Sequence, residues 1–566
     1  MSVRRRLLLV AAATASVIAG IVGLSLPPRA LSTAPVSWTD GAVRGAYHVH
    51  SVRSDGSGTL DEIAEAASRA GLRFVVITDH GDGTRTPTPP SYRQGVLIID
   101  AVEISTTAGH YVALGLTATP YPLAGAPSAV VEDVRRLGGF GIVAHPGSSR
   151  PSLRWTAWDE PVAGIEWLNA DSEWRDEVWN SLGRTILTYA FRSPETLASL
   201  LDRPEEVLAR WDALGATRNI PAFAGADAHA RIGLRQRTDP DAATVHVPLP
   251  GYEASFRAFS NHVVPSLPLD GDAGADATRL IDAMAAGRAF TVVDGLATPG
   301  AFEFSGESDG VRASMGDALS LGDHTTLHAR ITAPPNTTLM LIRNGATVRT
   351  TDASRLDADV TGQSGVYRVE ARLTGAPGHP PIPWIVSNPI YVGLRRPAPP
   401  SSVVSSLTEI AQAGLPDAGA EMGKGCTSEI RRAGAEGNAA VVWRYALGAG
   451  TPAGQFAAVS IRVGGGVAAF DRVRLRVSAE RPVRLWFQLR APIGLTERWG
   501  TTFYADPVER EIDLPLAGLL PIGVTSTLGA PLDKVNSLLI VADTLNTLPG
   551  TSARVTIAGV ALIRRR

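Results

Sequence analysis

The sequence predicts an α/β barrel followed by two β-sandwiches, and three observations predict it. Between residues 43 and 240, apolar strand-like runs alternate with amphipathic helical stretches, and polar residues gather where the runs end. From about residue 325 the pattern changes to short alternating runs bounded by Gly, Pro and Asn. A Pro/Ser-rich stretch, RRPAPPSSVVSS at 395–406, then separates two such β-rich blocks.

The N-terminus carries Arg4, Arg5 and Arg6 ahead of an uncharged run over 7–26, followed by a Pro/Ser/Thr-rich tether to residue 42. A charged n-region before an apolar run reads as a signal peptide or a membrane anchor, and the RRxLL pattern is weakly like a twin-arginine export signal. In either case the arginines stay inside and the remainder is expected outside the cytoplasmic membrane, periplasmic or at the cell surface.

Residues 43–320 form the expected barrel domain. The strand AYHVH leads into a helix over 60–70. Thr59 and Glu62 make its capping box, Leu60, Ile63, Ala64 and Ala67 line one face, and Gly71 ends it. RFVVITDH, VLIIDAVEIS and YVALGL are further strands. A helix near 129–137 precedes FGIVAHP and GIEWLN, and a helix near 276–286 precedes the closing run GRAFTVVDG. TTLHARITA, TTLMLIRNG, GVYRVEARL and PWIVSNPIYVGL are expected to make a small Ig-like sandwich over 325–394. After a linker at 395–425, seven runs from VVWRYALG to ARVTIAGVALI predict a jelly-roll sandwich over 426–566.

Composition narrows the function classes. A chain of 566 residues with 53 basic and 55 acidic side chains has no global charge with which to recruit nucleic acid, so specific nucleic-acid binding is not expected. The single cysteine, Cys426, excludes an internal disulfide and a multi-thiolate metal site, and reads as a small buried hydrophobe.

The chemistry gathers in short motifs: HVH at 48–50, SDG at 54–56, TDH at 78–80, VEIS at 102–105, AGH at 108–110, AHPG at 144–147 and DAH at 227–229. Neutral imidazoles and carboxylates converging from several strand ends are what a cluster of borderline divalent metals needs. On a regular strand, HxH and DxH would each send two side chains to one face, because the period is two. A carboxylate such as Glu103 that bridges two cations would hold them about 3.5–4 Å apart, and a water between them would lose its proton near neutral pH. Asp79 reads as an orienting acceptor at a strand end rather than a ligand.

In their order, these motifs resemble those of the polymerase-and-histidinol-phosphatase (PHP) family of metal-dependent phosphoesterases, over some 200–270 residues. The resemblance implies a distorted (β/α)7, TIM-like barrel holding two or three divalent metals (Zn, Mn or Fe). By position it implies that His48, His50, Glu103 and Asp227 hold one metal. Glu103 would bridge to a second, completed by His110 and His145, and Asp55, His80 and His229 would hold a third. Glu103, Asp227 and His145 would act catalytically through the metal centre, whose activated hydroxide attacks a phosphomonoester or phosphodiester.

Arg150, Arg231 and Arg235 follow two of these motifs, where substrate phosphate oxygens would lie, and Asn169 ends GIEWLN facing the pocket. Trp155, Trp158, Trp167, Trp174, Trp179 and Trp211 lie in or near the long insert between AHPG and DAH, either packing a loop or forming a stacking wall. The last block resembles galactose-binding-like and carbohydrate-binding jelly rolls, with WGTTFYADP offering aromatics to a ligand face. The expected substrate is a small-molecule or glycan-linked phosphate ester, with a carbohydrate or envelope surface as partner of the last domain. The membrane is expected to be met only through the N-terminal segment. Two alternatives stand beside the phosphoesterase: a carbamate or ester hydrolase on the same barrel, and a non-enzymatic envelope or glycan-binding protein.

Overall fold

The structure is a computed structural model that describes residues 20, 23–33, 38–175, 179–233, 246–247, 249–298, 301–394, 407–412, 418–433, 440–451, 453–493 and 496–565. Most of the N-terminal run over 7–26 and Arg235 lie outside these residues. Among the described residues no helix is long and apolar enough to cross a membrane. The chain is multidomain and mostly β-sheet, with few helices. It divides into two compact units. One gathers Met1–Gly81, Pro87–Thr117 and Val134–Pro397, and the other gathers Asp82–Thr86, Ala118–Asp133 and Ala398–Arg566.

In the first unit, strand β1 (Val43–Val49) leads through helix α1 (Leu60–Arg69) to β2 (Phe74–Ile77), β3 (Val96–Asp100), β4 (Val102–Thr106) and β5 (Gly109–Leu114). Strands β6 (Phe140–Val143), β7 (Gly164–Asn169) and β8 (Ala222–Gly225) follow, with helix α2 (Glu205–Gly215) between the last two. The capping box of α1 is present. Thr59 Oγ1 accepts from the Glu62 backbone N–H, and the Glu62 carboxylate accepts from the Thr59 N–H. Its buried face is Ile63, Ala64, Ala66 and Ala67, whereas Leu60, expected on that face, is only half-buried.

Strands β1, β2 and β3 pair in parallel, and so do β6, β7 and β8. The expected alternation of strand and helix gives way between residues 96 and 114, where three strands follow one another and β4 and β5 form an antiparallel hairpin. Backbone bonds join the two sheets at both edges. Ala226 N–H donates to Tyr47 O and His50 N–H to Ala228 O on one side, and Glu103 N–H donates to Asp79 O on the other. Tyr47, Phe74, Val76, Ile99, Val112 and Phe223 belong to the apolar core that these strands share with helix Ala273–Ala285.

The small sandwich begins earlier than expected, at Phe302 rather than 325. Phe302 and Phe304 point inward, and their strand Phe302–Ser308 pairs with Thr325–Ile331, so the two strands share one core. Its second sheet is not separate. Strand Ile385–Ser387 pairs with Ala289–Val292, which continues through Ser260–Val263 to β1. Buried charges tie this sandwich to the wall beside β7. Arg203 is bidentate to Glu370 at 2.6 and 2.9 Å, and Arg368 pairs with Asp212.

Among its described residues, the second unit places two six-stranded sheets around one core that includes Trp443, Leu475, Leu485, Trp499, Phe503 and Ile540. Cys426 is buried in that core, as expected for a small hydrophobe. WGTTFYADP does not offer its aromatics to a surface. Trp499 and Phe503 are four residues apart on one strand, so both point inward, and only Tyr504 takes the opposite face. Arg484, almost fully buried, donates to Asp133 at 2.7 Å and to Glu132 at 2.6 Å within this unit.

His262, stacked on Phe290, is buried with no hydrogen bond to Nε2 among the described residues. Burial, with Arg44 nearby, pushes its pKa down from 6.5 to about 3. Between these values the unfolded chain binds a proton that the folded chain refuses, so stability is complete above pH 6.5 and lost as pH falls. Replacing His262 by Phe should therefore flatten the acid loss of stability over that window, by at most about 4–5 kcal/mol at its lower end. Denaturant titrations of both proteins at several pH values check this. Parallel curves would contradict it.

Candidate metal centre

The candidate ligands cluster where parallel strands end and on the hairpin between them. His48 and His50 close β1, Asp55 lies in the following loop, and His80 follows β2. Glu103 and His110 sit on β4 and β5, His145 follows β6, and Asp227 and His229 follow β8. All nine fall into four overlapping groups whose ligand atoms lie within 4.8 Å of one another. These are His50, Asp55, His80 and His229; His48, Glu103 and His145; His48, His50 and Asp227; and His80, Glu103 and His110.

Glu103 is the hub. Its Oε1 lies 2.8 Å from His110 Nδ1 and 2.9 Å from His145 Nε2. Its Oε2 lies 3.3 Å from His48 Nε2, 3.2 Å from His50 Nε2 and 3.2 Å from His80 Nδ1. Asp227 Oδ1 is 3.4 Å from His48 Nε2 and 3.3 Å from His50 Nε2, and Asp55 Oδ2 is 3.1 Å from His229 Nε2.

The way His48 and His50 converge differs from the expected two-residue alternation. The β1–β2 register shifts between Ala46 and Val49, and His48 has φ +64°. His145 (φ +31°) and Asp227 (φ +44°) are also left-handed. Each such non-glycine residue costs on the order of 1–3 kcal/mol and persists only where its surroundings over-determine it. A bulge and left-handed turns, rather than strand pleating, aim these side chains.

The partners of the outer ring nitrogens set the tautomers. His145 Nδ1 lies 3.1 Å from Leu153 O and His229 Nδ1 lies 2.8 Å from Asp227 O. A carbonyl only accepts, so each Nδ1 carries the proton and, in the neutral ring, Nε2 turns a lone pair toward the cluster. His48 Nδ1 is 2.5 Å from Glu166. The Nε2 atoms of His48 and His50 are buried and make no hydrogen bond among the described residues. Orphaned imidazole nitrogens facing carboxylates are a donor set that fits divalent cations such as Zn(II).

The electrostatics are reciprocal. Burial lowers the pKa of His48, but Asp227, Glu166 and Glu103 outweigh it and hold the pKa well above the usual imidazole value. Burial would raise Glu103, yet His48 and the bonds from His110 and His145 hold it well below the carboxylate range. Asp227 is depressed against burial in the same way by His48, His50 and His229. A buried set of acids this strongly ionised needs positive charge, which protons or metal ions can supply.

Asp79 is an orienting acceptor, as its position in TDH indicates. It takes bonds from the Ser51 N–H and Oγ at 2.7 Å, from Ser54 Oγ at 2.8 Å and from Arg53 Nε at 2.9 Å. The Gly of SDG is required by close approach, since a Cβ on Gly56 would lie 2.3 Å from His50 O. Two supporting residues escaped the sequence reading. Tyr252 Oη donates to His50 O at 2.8 Å and accepts from Gly58 N–H, with only a lone aromatic after PLPG as signal. Glu166 is legible only as an acid inside the apolar run GIEWLN.

Asn169 Nδ2 donates to Glu166 and its Oδ1 accepts from Ser172 N–H, so both ends of its amide are engaged. Arg231 Nη1 lies 3.4 Å from Asp55 O, beside the cluster. Arg150 begins the turn that carries Leu153 over His145. Trp155, Trp167 and Trp211 are packing residues: Trp155 stacks on Tyr111, and the other two donate to Thr291 Oγ1 and Ile220 O. Trp158 and Trp174 are half-buried, and Trp158 lies under Arg210. The side chain of Trp179 lies outside the described set. A cavity of about 230 Å³ opens beside His145 and Glu166, walled by Asn169, Glu173, Asp202, Arg203, Glu205 and Glu206.

No known family model matches the chain, and no curated protein does. Solved structures that resemble it include a two-domain protein from Bacteroides vulgatus containing a predicted PHP-like metal-dependent phosphoesterase. That protein is 14% identical over 61% of this chain and 94% of its own, with a TM-score of 0.27. A family 11 carbohydrate-binding module from Clostridium thermocellum is 12% identical over 27% of this chain and 91% of its own, with a TM-score of 0.23. TM-scores this low do not establish a shared fold.

Replacing Glu103 by Gln keeps the shape of the hub and removes its charge. The variant should fold but hold at least one metal ion fewer per chain than the native protein, measured by elemental analysis after metal-replete purification. A full metal complement in the variant would contradict the hub role.

Proposed function

We propose that the chain is an exported, metal-dependent phosphoesterase that hydrolyses a phosphomonoester or phosphodiester. The observation that carries this reading is the contact of one buried carboxylate, Glu103, with five imidazoles, with Asp55, Asp227 and His229 completing the set. Divalent cations bound by these ligands would supply an activated water and neutralise charge developing on the phosphoryl oxygens.

The chain's own residues have the remaining work. His48, His145 and His229 present Nε2 in fixed tautomers, and Asp79 with Tyr252 holds the loop that carries Asp55. Arg231 and Arg150 are the cations of this reading, steering an anionic substrate toward the cluster. We read the ring of strands β1–β8 as a distorted (β/α)7 barrel, and the N-terminal arginines and apolar run as the signal or anchor that sends it outward. A glycan-linked ester, with the second unit engaging a carbohydrate or envelope surface, is the corresponding extracytoplasmic substrate.

A second reading, hydrolysis of a carbamate or carboxylic ester at the same centre, is favoured by one observation. The cavity beside His145 is walled by Glu173, Asp202, Glu205 and Glu206, and its one arginine, Arg203, is committed to Glu370. Such a wall tolerates a neutral or cationic group better than a second phosphate.

The test is a substrate panel run on the metal-replete full chain. Phosphate monoesters or diesters should be turned over, and chelation should abolish the activity. Turnover confined to carboxylic esters or carbamates would establish the second reading. A metal-loaded protein with no chelator-sensitive hydrolysis would contradict both.

A further inference from the structure

We propose that Glu166 is the positioning residue of the metal centre: it clamps two left-handed ligand residues, His48 and His145, and Gly225 leaves it the room to do so. This inference rests on the metal reading above.

Glu166 lies in the middle of β7, is fully buried and belongs to none of the four candidate ligand groups. Its two oxygens are taken. Oε1 sits 2.5 Å from His48 Nδ1, while Oε2 accepts from the His145 backbone N–H at 2.7 Å and from Asn169 Nδ2 at 2.8 Å. One carboxylate thus holds the ring of one strained residue and the main chain of another. By accepting a hydrogen bond from His48 Nδ1–H it leaves the lone pair of Nε2 facing Glu103 and Asp227, and its charge makes that nitrogen a stronger donor.

Room for this carboxylate comes from the neighbouring strand. A Cβ on Gly225 would lie 2.4 Å from Glu166 Oε1, 2.5 Å from Cδ and 2.7 Å from Oε2. The carboxylate could not yield without breaking its bonds to both histidines. Gly225 does not have a positive φ, so alanine meets no backbone objection there and acts purely by displacing Glu166. Glycine at this place is explained by the clamp.

Two variants of the full chain, Glu166→Gln and Gly225→Ala, test the proposal through different chemistry. Zn(II) affinity is measured by chelator competition, the Co(II) form by its visible spectrum, and the melting temperature on chelator-treated protein. Both variants should bind their weakest-held Zn(II) about 10–100-fold less tightly than the native chain. Both should alter the Co(II) spectrum, and Glu166→Gln should leave the metal-free melting temperature unchanged. Should Glu166→Gln fail to fold, Gly225→Ala carries the same expectation with the acid retained. Native Zn(II) affinity and a native spectrum in a folded variant would overturn the clamp. So would a lower metal-free melting temperature with affinity unchanged, since that is a purely structural role. A native chain that binds no Zn(II) would overturn the metal reading, and the clamp with it.

Discussion

The centre depends on one carboxylate that cannot be left alone. Glu103 is buried among five imidazoles, and its negative charge in that place is tolerable only beside positive charge. The strand ends deliver His48, His50, His80 and His145, the hairpin Val102–Thr106 and Gly109–Leu114 delivers Glu103 with His110, and the backbone bond from Glu103 N–H to Asp79 O places one set against the other. A scaffold with no use for cations would gain stability by replacing this set with apolar side chains.

Holding the set together has a cost in backbone geometry. Three candidate ligands, His48, His145 and Asp227, lie in the left-handed region, where only surrounding bonds can keep them. For His48 and His145 those bonds come from residues that are not candidate ligands, Glu166 and the carbonyl of Leu153, while Asp79 and Tyr252 hold the neighbouring segment from His50 to Gly58. Parallel strands ending together provide the meeting place, and the orienting groups provide the aim.

Much of the site was legible in the sequence, because its ligands are chemically distinctive and occur in short motifs. The nine residues named from HVH, SDG, TDH, VEIS, AGH, AHPG and DAH do come together. Legibility ended where tertiary contacts decide. The alternation rule accounts for where His48 and His50 meet only by accident, since a bulge brings them together. Glu166 reads as any buried acid until His48 is placed beside it. Trp499 and Phe503 turn inward because of a strand register that composition does not reveal. The start of the small sandwich at Phe302 depends on its distant pairing partner, Ile331.

The most direct measurement is anomalous diffraction from crystals of the metal-replete full chain, recorded on both sides of the absorption edge of the metal found by elemental analysis. The account predicts peaks within coordination distance, roughly 2.0–2.2 Å for zinc, of Glu103 and of His48, His50 or His145, with His48 still bonded to Glu166. Peaks elsewhere, or an ordered cluster in which protons alone balance Glu103, would contradict it.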